Sequence, residues 1–305
     1  MRDREALDRA VLAADIVVEN FIPGDLAPFA LDPASLRRAK PELIVCSITG
    51  FGQDGPYAAL PGYDAVLQGF TGLMSITGEP DGPPLKVGVA VVDVLTGAHA
   101  AAAILAALVA RLRGRGGASL DIALFEVGVA ALVNVSQAAL ASGEPARRHG
   151  NAHPHIVPYQ TFEAADGPMV VAVGNDEQWK RLCAALELES LALDPALAGN
   201  SGRVLHRSEV VSAIGAKPAS APRAGWLARL REARVPAGAV RELHEVVRDP
   251  ALISRGMVQP ATLAGAGSAL DLFALPWRVD GSRPPLRWAP PRLGQHTGEF
   301  RARFG

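Results

Sequence analysis

Asp15-Ile16-Val17-Val18-Glu19, then Pro33-Ala34-Ser35-Leu36-Arg37-Arg38-Ala39, then Leu43-Ile44-Val45-Cys46-Ser47-Ile48 read as strand, helix, strand. The apolar runs are short, rich in β-branched residues and continuous rather than alternating, as strands covered on both faces require. A strand that returns through a helix to a second strand pairs with it in parallel, by a right-handed crossover. The same rhythm extends outward. Residues 4–14 put Leu7, Ala10 and Val11 on one helical face, and helices are predicted over 63–75, 94–113 and 125–141, with a strand over 119–122. A loop rich in Gly and Pro fills 78–88, and Gly114, Gly116 and Gly117 end the long Ala-rich helix. Residues 1–150 therefore predict an α/β domain with an open, mostly parallel sheet.

Beyond a linker at 143–158 the composition shifts. A strand over 169–173 and a helix over 177–186, capped by Asn175 or Asp176, precede helices at 203–213, 224–233 and 243–247. These predict a smaller second domain over 164–250. From 258 to 305 the pattern turns β-like, with a proline-rich stretch at 276–292, and is read as a return to the first domain.

Of the 305 residues 49% are hydrophobic and 20% charged, enough apolar content for a sizeable core. A formal net charge of -1 gives no reason to expect nucleic acid or an anionic membrane as partner. Cys46 and Cys183 each lie in an apolar run and predict buried free thiols, consistent with a reducing cytoplasm. Met1-Arg2-Asp3-Arg4-Glu5 holds no apolar core of a signal peptide. The helix over 94–113 nears membrane-spanning length, but its alanines, His99 and Arg111 predict a helix buried in a protein core. His99 is accordingly expected to be a core histidine. His149 and His153 stand four apart, yet Gly150-Asn151 and Pro154 argue against a helix there, so no metal site is expected. The roles of His149, His153 and His155 stay open. The chain has no Walker A loop and no GxSxG elbow, and the spacing Gly50-Phe51-Gly52-Gln53-Asp54-Gly55 is not read as a dinucleotide fingerprint.

Two segments fall where parallel sheets place ligands, at the carboxyl ends of predicted strands. They are Glu19-Asn20-Phe21-Ile22-Pro23-Gly24 and Thr49-Gly50-Phe51-Gly52-Gln53-Asp54-Gly55-Pro56. Glycines there let backbone N–H groups approach anionic groups, although tight turns would look the same. Asp93, between 87–92 and the long helix, has two readings. It caps the helix, or it is a carboxylate held ionised at a helix start and poised as a nucleophile. Both remain open on the residues alone.

In order, nine segments resemble the class III CoA-transferase family, the group that includes formyl-CoA transferase. They are Ala14-Asp15-Ile16-Val17-Val18-Glu19-Asn20-Phe21, residues 47–56, Pro61-Gly62-Tyr63-Asp64, residues 77–84, residues 86–97, Gly114-Arg115-Gly116, Gly150-Asn151-Ala152-His153-Pro154, residues 249–257 and Leu293-Gly294-Gln295-His296-Thr297. The resemblance implies a Rossmann-like sheet with a smaller α+β domain. It implies that CoA moves between carboxylic acids, with Asp93 forming first a mixed anhydride and then an aspartyl-CoA thioester. Asn20, Phe21, Thr49, Gly50 and Phe51 match the family's CoA contacts. It also implies acyl-CoA as substrate, no tightly bound cofactor, and an interlocked homodimer; residues 150–160 and 79–87 look like those of members that use succinyl-CoA as donor and short dicarboxylates as acceptors. Against that family the chain begins part-way into the pattern, without the opening βα units. Pro28 stands where some members carry a basic residue facing CoA phosphates, and Gln295 and Gly298 where acidic residues are common. Two alternatives are an acyl-CoA racemase, although Tyr63 occupies the place of the racemase histidine, and a non-catalytic or partner-dependent subunit.

Overall fold

The computed structural model describes residues 2–262 and 269–305. Met1 and, within the segment expected to turn β-like, residues 263–268 lie outside the described part. The chain divides into two compact units, residues 1–151 with 304–305, and residues 152–303. Residues 258–303 thus group with the second unit, and Phe304 and Gly305 with the first.

The first unit runs α1 (Arg2–Ala13), β1 (Ile16–Glu19), α2 (Pro33–Ala39), β2 (Ile44–Thr49), α3 (Asp64–Phe70), α4 (Leu73–Ile76), α5 (Val91–Ala110), β3 (Ser119–Ala123), α6 (Leu124–Ala130) and α7 (Val133–Ser142). Its sheet is parallel in the order β1-β2-β3, with Ile16 opposite Ile44 and Ile48 opposite Ile122. Being central, β2 is the most deeply buried, which is why its sequence shows no polar alternation. Leu36, Leu43 and Val45 pack with Val11, Val17 and Leu31 in one cluster. Leu67, Val92 and Leu124 pack with Ile48 and Phe51 in another. Asp32 caps α2 by accepting a hydrogen bond from the Ser35 N–H at 3.0 Å, with Pro33 at the first helical position.

Three helices depart from expectation for identifiable reasons. The helix expected over 63–75 is two, because Gly72 is left-handed (φ 87°) between α3 and α4. The one expected over 125–141 bends by 85° between α6 and α7, where Val133 has a positive φ of 48°. The long helix begins earlier than expected, at Val91, and gives way to an irregular turn at Arg113 and Gly114.

The expectation that this long helix is buried in a core is corrected. Val92, Thr96, Ala100 and Ala107 are its buried residues, and Val94, Leu105 and Val109 are exposed. One stripe seats against α3, α6, β2 and β3, and the unit offers nothing comparable to the opposite stripe among the described residues. His99 lies on the exposed side, so it is not a core histidine.

The second unit holds β4 (Tyr159–Ala164), β5 (Gly167–Ala172), α8 (Asp176–Leu186), α9 (Glu189–Leu193), α10 (Asn200–Leu205), α11 (Arg207–Gly215), α12 (Arg223–Glu232), β6 (Ala237–Ala239), α13 (Leu243–Val246), α14 (Pro250–Ser254), β7 (Val258–Thr262), β8 (Ala269–Phe273) and α15 (Thr297–Phe304). The sheet β4-β5-β6 is antiparallel, and β7 and β8 form a separate antiparallel pair. Asn175 is the cap of α8, accepting from the Gln178 N–H at 2.9 Å. Cys46 in the first unit and Cys183 in this one are free and buried, and burial pushes the Cys183 thiol up to about 12.

Arg203 is the buried tie of this unit, 1% exposed. It donates to the carbonyls of Val157, Leu197 and Ala198, pairs with Asp176 at 2.8 Å, and lies over the Trp179 ring at 5.2 Å. Removing it strands buried carbonyls without donors. Arg203→Leu is expected to cost about 3 kcal/mol of stability, read by urea denaturation of the whole chain.

Candidate active site

The start of α5 bears on the capping reading of Asp93. Because the helix begins at Val91, Asp93 is its third residue, and the cap position falls on Ala90, whose side chain can accept nothing. The free N–H groups of the first turn are met from another element. Asp64, the first residue of α3, accepts at Oδ1 from the Val92 N–H (2.8 Å) and the Asp93 N–H (3.3 Å). Asp64 does the capping, so the Asp93 carboxylate is not consumed by it and stays exposed.

Asp64 is held in turn. Its Oδ2 accepts from Gln68 Nε2 at 2.6 Å, one helical turn on. Gln68 is 0% exposed, donates also to the Val89 carbonyl (3.1 Å), and accepts from the Val87 N–H (2.8 Å). The turn leading into α3 is pressed against the end of β2. A Cβ on Gly50 would lie 2.8 Å from the Gly62 Cα, so this backbone approach needs glycine at both places.

Thr49, Gly50 and Phe51 lie at that strand end, and Asn20 is tied to it. Thr49 Oγ1 accepts from the Gly52 N–H at 2.9 Å, and Gln53 N–H donates to Asp121 Oδ2 of β3 at 2.9 Å, which fixes the loop after β2. The Phe51 ring sits 5.0 Å from Phe70, 5.7 Å from Tyr57 and 6.0 Å from Phe125. Asn20 Nδ2 donates to the Ile48 carbonyl, tying the end of β1 to β2. Packing through Gly62, Asp64 and Val92 thus brings Thr49, Gly50 and Phe51 together with the helix start that carries Asp93. Phe21 takes no part in this packing and is 56% exposed. In the sequence Asp64 stands out only as the last residue of the Pro61-Gly62-Tyr63-Asp64 motif, and Gln68 not at all. Their four-residue spacing on one helix was visible, but not that they reach α5.

Although Asp93 is an exposed residue, the limited desolvation its carboxyl does undergo, and secondly the negative charge of Asp64, push its pKa above the usual carboxylate range. A more basic carboxylate is a stronger nucleophile once ionised.

The model of the family described as CoA-transferase family III matches residues 1–297. This chain belongs to that family. Succinate–glutarate CoA-transferase of Agrobacterium fabrum is 43% identical over 96% of this chain and 73% of its own length. Mouse succinyl-CoA:glutarate CoA-transferase is 35% identical over 93% of this chain, which spans 65% of that relative. A CaiB/BaiF family protein from Brucella suis superposes with TM-score 0.83 at 39% identity, covering 99% of this chain and 78% of that one. The chain is therefore a family III CoA-transferase with the CaiB/BaiF fold, from a family whose substrates are CoA thioesters.

Asp64→Asn removes the like charge beside Asp93 and leaves the desolvation in place. The Asp93 pKa is expected to fall towards, but not below, the ordinary carboxylate range in a carbon-13 NMR titration of labelled aspartates. An unchanged value would mean that the two carboxylates do not sense each other.

Proposed function

We propose that the chain moves coenzyme A from succinyl-CoA to a short dicarboxylate such as glutarate, with Asp93 as the covalent carboxylate. One observation carries the assignment to Asp93: the helix start it occupies is capped by Asp64, leaving its own carboxylate exposed beside the carboxyl end of the sheet. Two of the relatives act, by name, on succinate or succinyl-CoA and glutarate, and that supports the donor and acceptor.

An oxygen of Asp93 attacks the acyl carbon of the thioester, the C–S bond breaks, and CoA leaves as thiolate. The product is a mixed anhydride between the acyl group and Asp93. The thiolate attacks the aspartyl carbonyl, succinate departs with the bridging oxygen, and an aspartyl-CoA thioester remains. The acceptor carboxylate then attacks that thioester, giving a new anhydride and the thiolate again. Thiolate attack on the acceptor's acyl carbon forms the new acyl-CoA and returns Asp93 as a carboxylate. One thioester is exchanged for another, so no external energy source is consumed.

Asn20, Phe21, Thr49, Gly50 and Phe51 are the residues proposed to contact CoA. Thr49, Gly50 and Phe51 lie at the carboxyl end of β2, where parallel sheets place ligands, and the exposed Phe21 offers a ring face for stacking. The uncovered apolar stripe of α5, with Val94, Leu105 and Val109, supports a homodimer in which a second copy covers it. Two buried free thiols support a cytoplasmic setting.

The test is CoA exchange followed by mass spectrometry, with succinyl-CoA and a panel of short carboxylates. Glutaryl-CoA is expected from the wild-type protein, and Asp93→Ala is expected to lose at least about 10³-fold in rate. The intermediate should appear as CoA attached to the peptide containing Asp93. Exchange that survives the substitution would remove Asp93 from the reaction. Because ionised Asp93 is the attacking form and its pKa is raised, kcat/KM is expected to climb with pH through a limb above the ordinary carboxylate range.

A further inference from the structure

Gln68 is a wholly buried polar side chain whose amide is used at both ends. Nε2 donates to Asp64 Oδ2 and to the Val89 carbonyl, and Oε1 accepts from the Val87 N–H. Val87 and Val89 lie in the segment 86–90, which has no helix or strand of its own and feeds directly into α5. A residue needed only to fill this space beside Leu67 would be better apolar, because burying an amide gains little unless every bond is made. Here the bonds are made, and each goes either to the approach to Asp93 or to the carboxylate that caps its helix.

We infer that Gln68 is a positioning residue for the transfer reaction. By gripping Val87 and Val89, and by fixing the rotation of the Asp64 carboxylate, it sets where the first turn of α5 stands and so where Asp93 meets the thioester. This rests on Asp93 being the nucleophile. Gln68 itself touches no reacting atom. Its effect belongs in the chemical step, where a displacement of about 1 Å can cost on the order of 10²-fold in rate.

The experiment measures single-turnover formation of the CoA adduct on Asp93 from succinyl-CoA, per folded molecule, well below the unfolding temperature. Gln68→Met keeps the volume and removes all three hydrogen bonds. It is expected to slow adduct formation about 100-fold while the KM for succinyl-CoA changes less than about threefold. A residue that merely filled the core would lower the melting temperature and leave that rate per folded molecule unchanged.

A polarity swap keeps the test decisive if Gln68→Met fails to fold. In Asp64→Asn/Gln68→Glu the new amide donates to the new carboxylate, whose other oxygen still accepts from the Val87 N–H, and the net charge is conserved. Towards the Val89 carbonyl a carboxylate oxygen now replaces the donor, so acceptor faces acceptor there and rescue is expected to be partial. The double variant is expected to be about tenfold faster than Gln68→Glu alone, as coupled neighbours require. A double variant no faster than the slower single variant, or wild-type adduct formation in Gln68→Met, overturns the positioning role alone. No adduct on Asp93 in the wild-type protein overturns the nucleophile reading and the positioning role together.

Discussion

The first turn of α5 presents N–H groups with no partner of their own, and the residue at its cap position is alanine. The Asp64 carboxylate, arriving from α3, meets two of them. Much of the first unit is arranged around that contact. Asp64 can reach α5 because the turn before α3 lies against β2 through two glycines without intervening side chains. The apolar cluster of Leu67, Val92 and Leu124 then holds α3, α5 and α6 at the separation this hydrogen bonding needs. A capping interaction of this kind is worth about 1 kcal/mol to a helix. Its larger consequence is chemical, since it leaves the Asp93 carboxylate uncommitted.

The same contact sets up an electrostatic conflict at Asp93. The N-terminal end of a helix favours a negative charge, whereas limited desolvation and a second carboxylate nearby oppose it. The opposing effects prevail, and the Asp93 pKa is raised. For the nucleophile proposed above, this is a compromise between the fraction ionised and the reactivity of the ionised form. Gln68 bears on the compromise without contributing charge, because its amide fixes which Asp64 oxygen faces α5.

Packing in the two units rests on different devices. In the first, the central strand is hidden by helices, and its interior is apolar apart from Ser47, Thr49 and a few helix-bound hydroxyls and amides. In the second, a buried guanidinium gathers three backbone carbonyls and one carboxylate over a tryptophan ring. Arginine suits this place because its planar fork can serve several acceptors at once.

The parallel sheet was legible from sequence because continuous β-branched runs separated by helical segments leave few other pairings, and β1, β2 and β3 fall where those runs lie. The family was legible because nine short motifs recur in order along the chain. Helix breaks were not: Gly72 separates α3 from α4 with a left-handed backbone, and Val133, the first residue of α7, has a positive φ that no local pattern announces in a β-branched residue. Nor was the exposure of α5. A run of apolar residues says that a helix prefers apolar surroundings, not that its own chain supplies them. At the site, Asp93 and the loops after β1 and β2 could be named from local pattern and resemblance. That Asp64 rather than Asp93 caps α5 is a contact between residues about thirty positions apart, and only the tertiary structure brings their atoms within hydrogen-bonding reach.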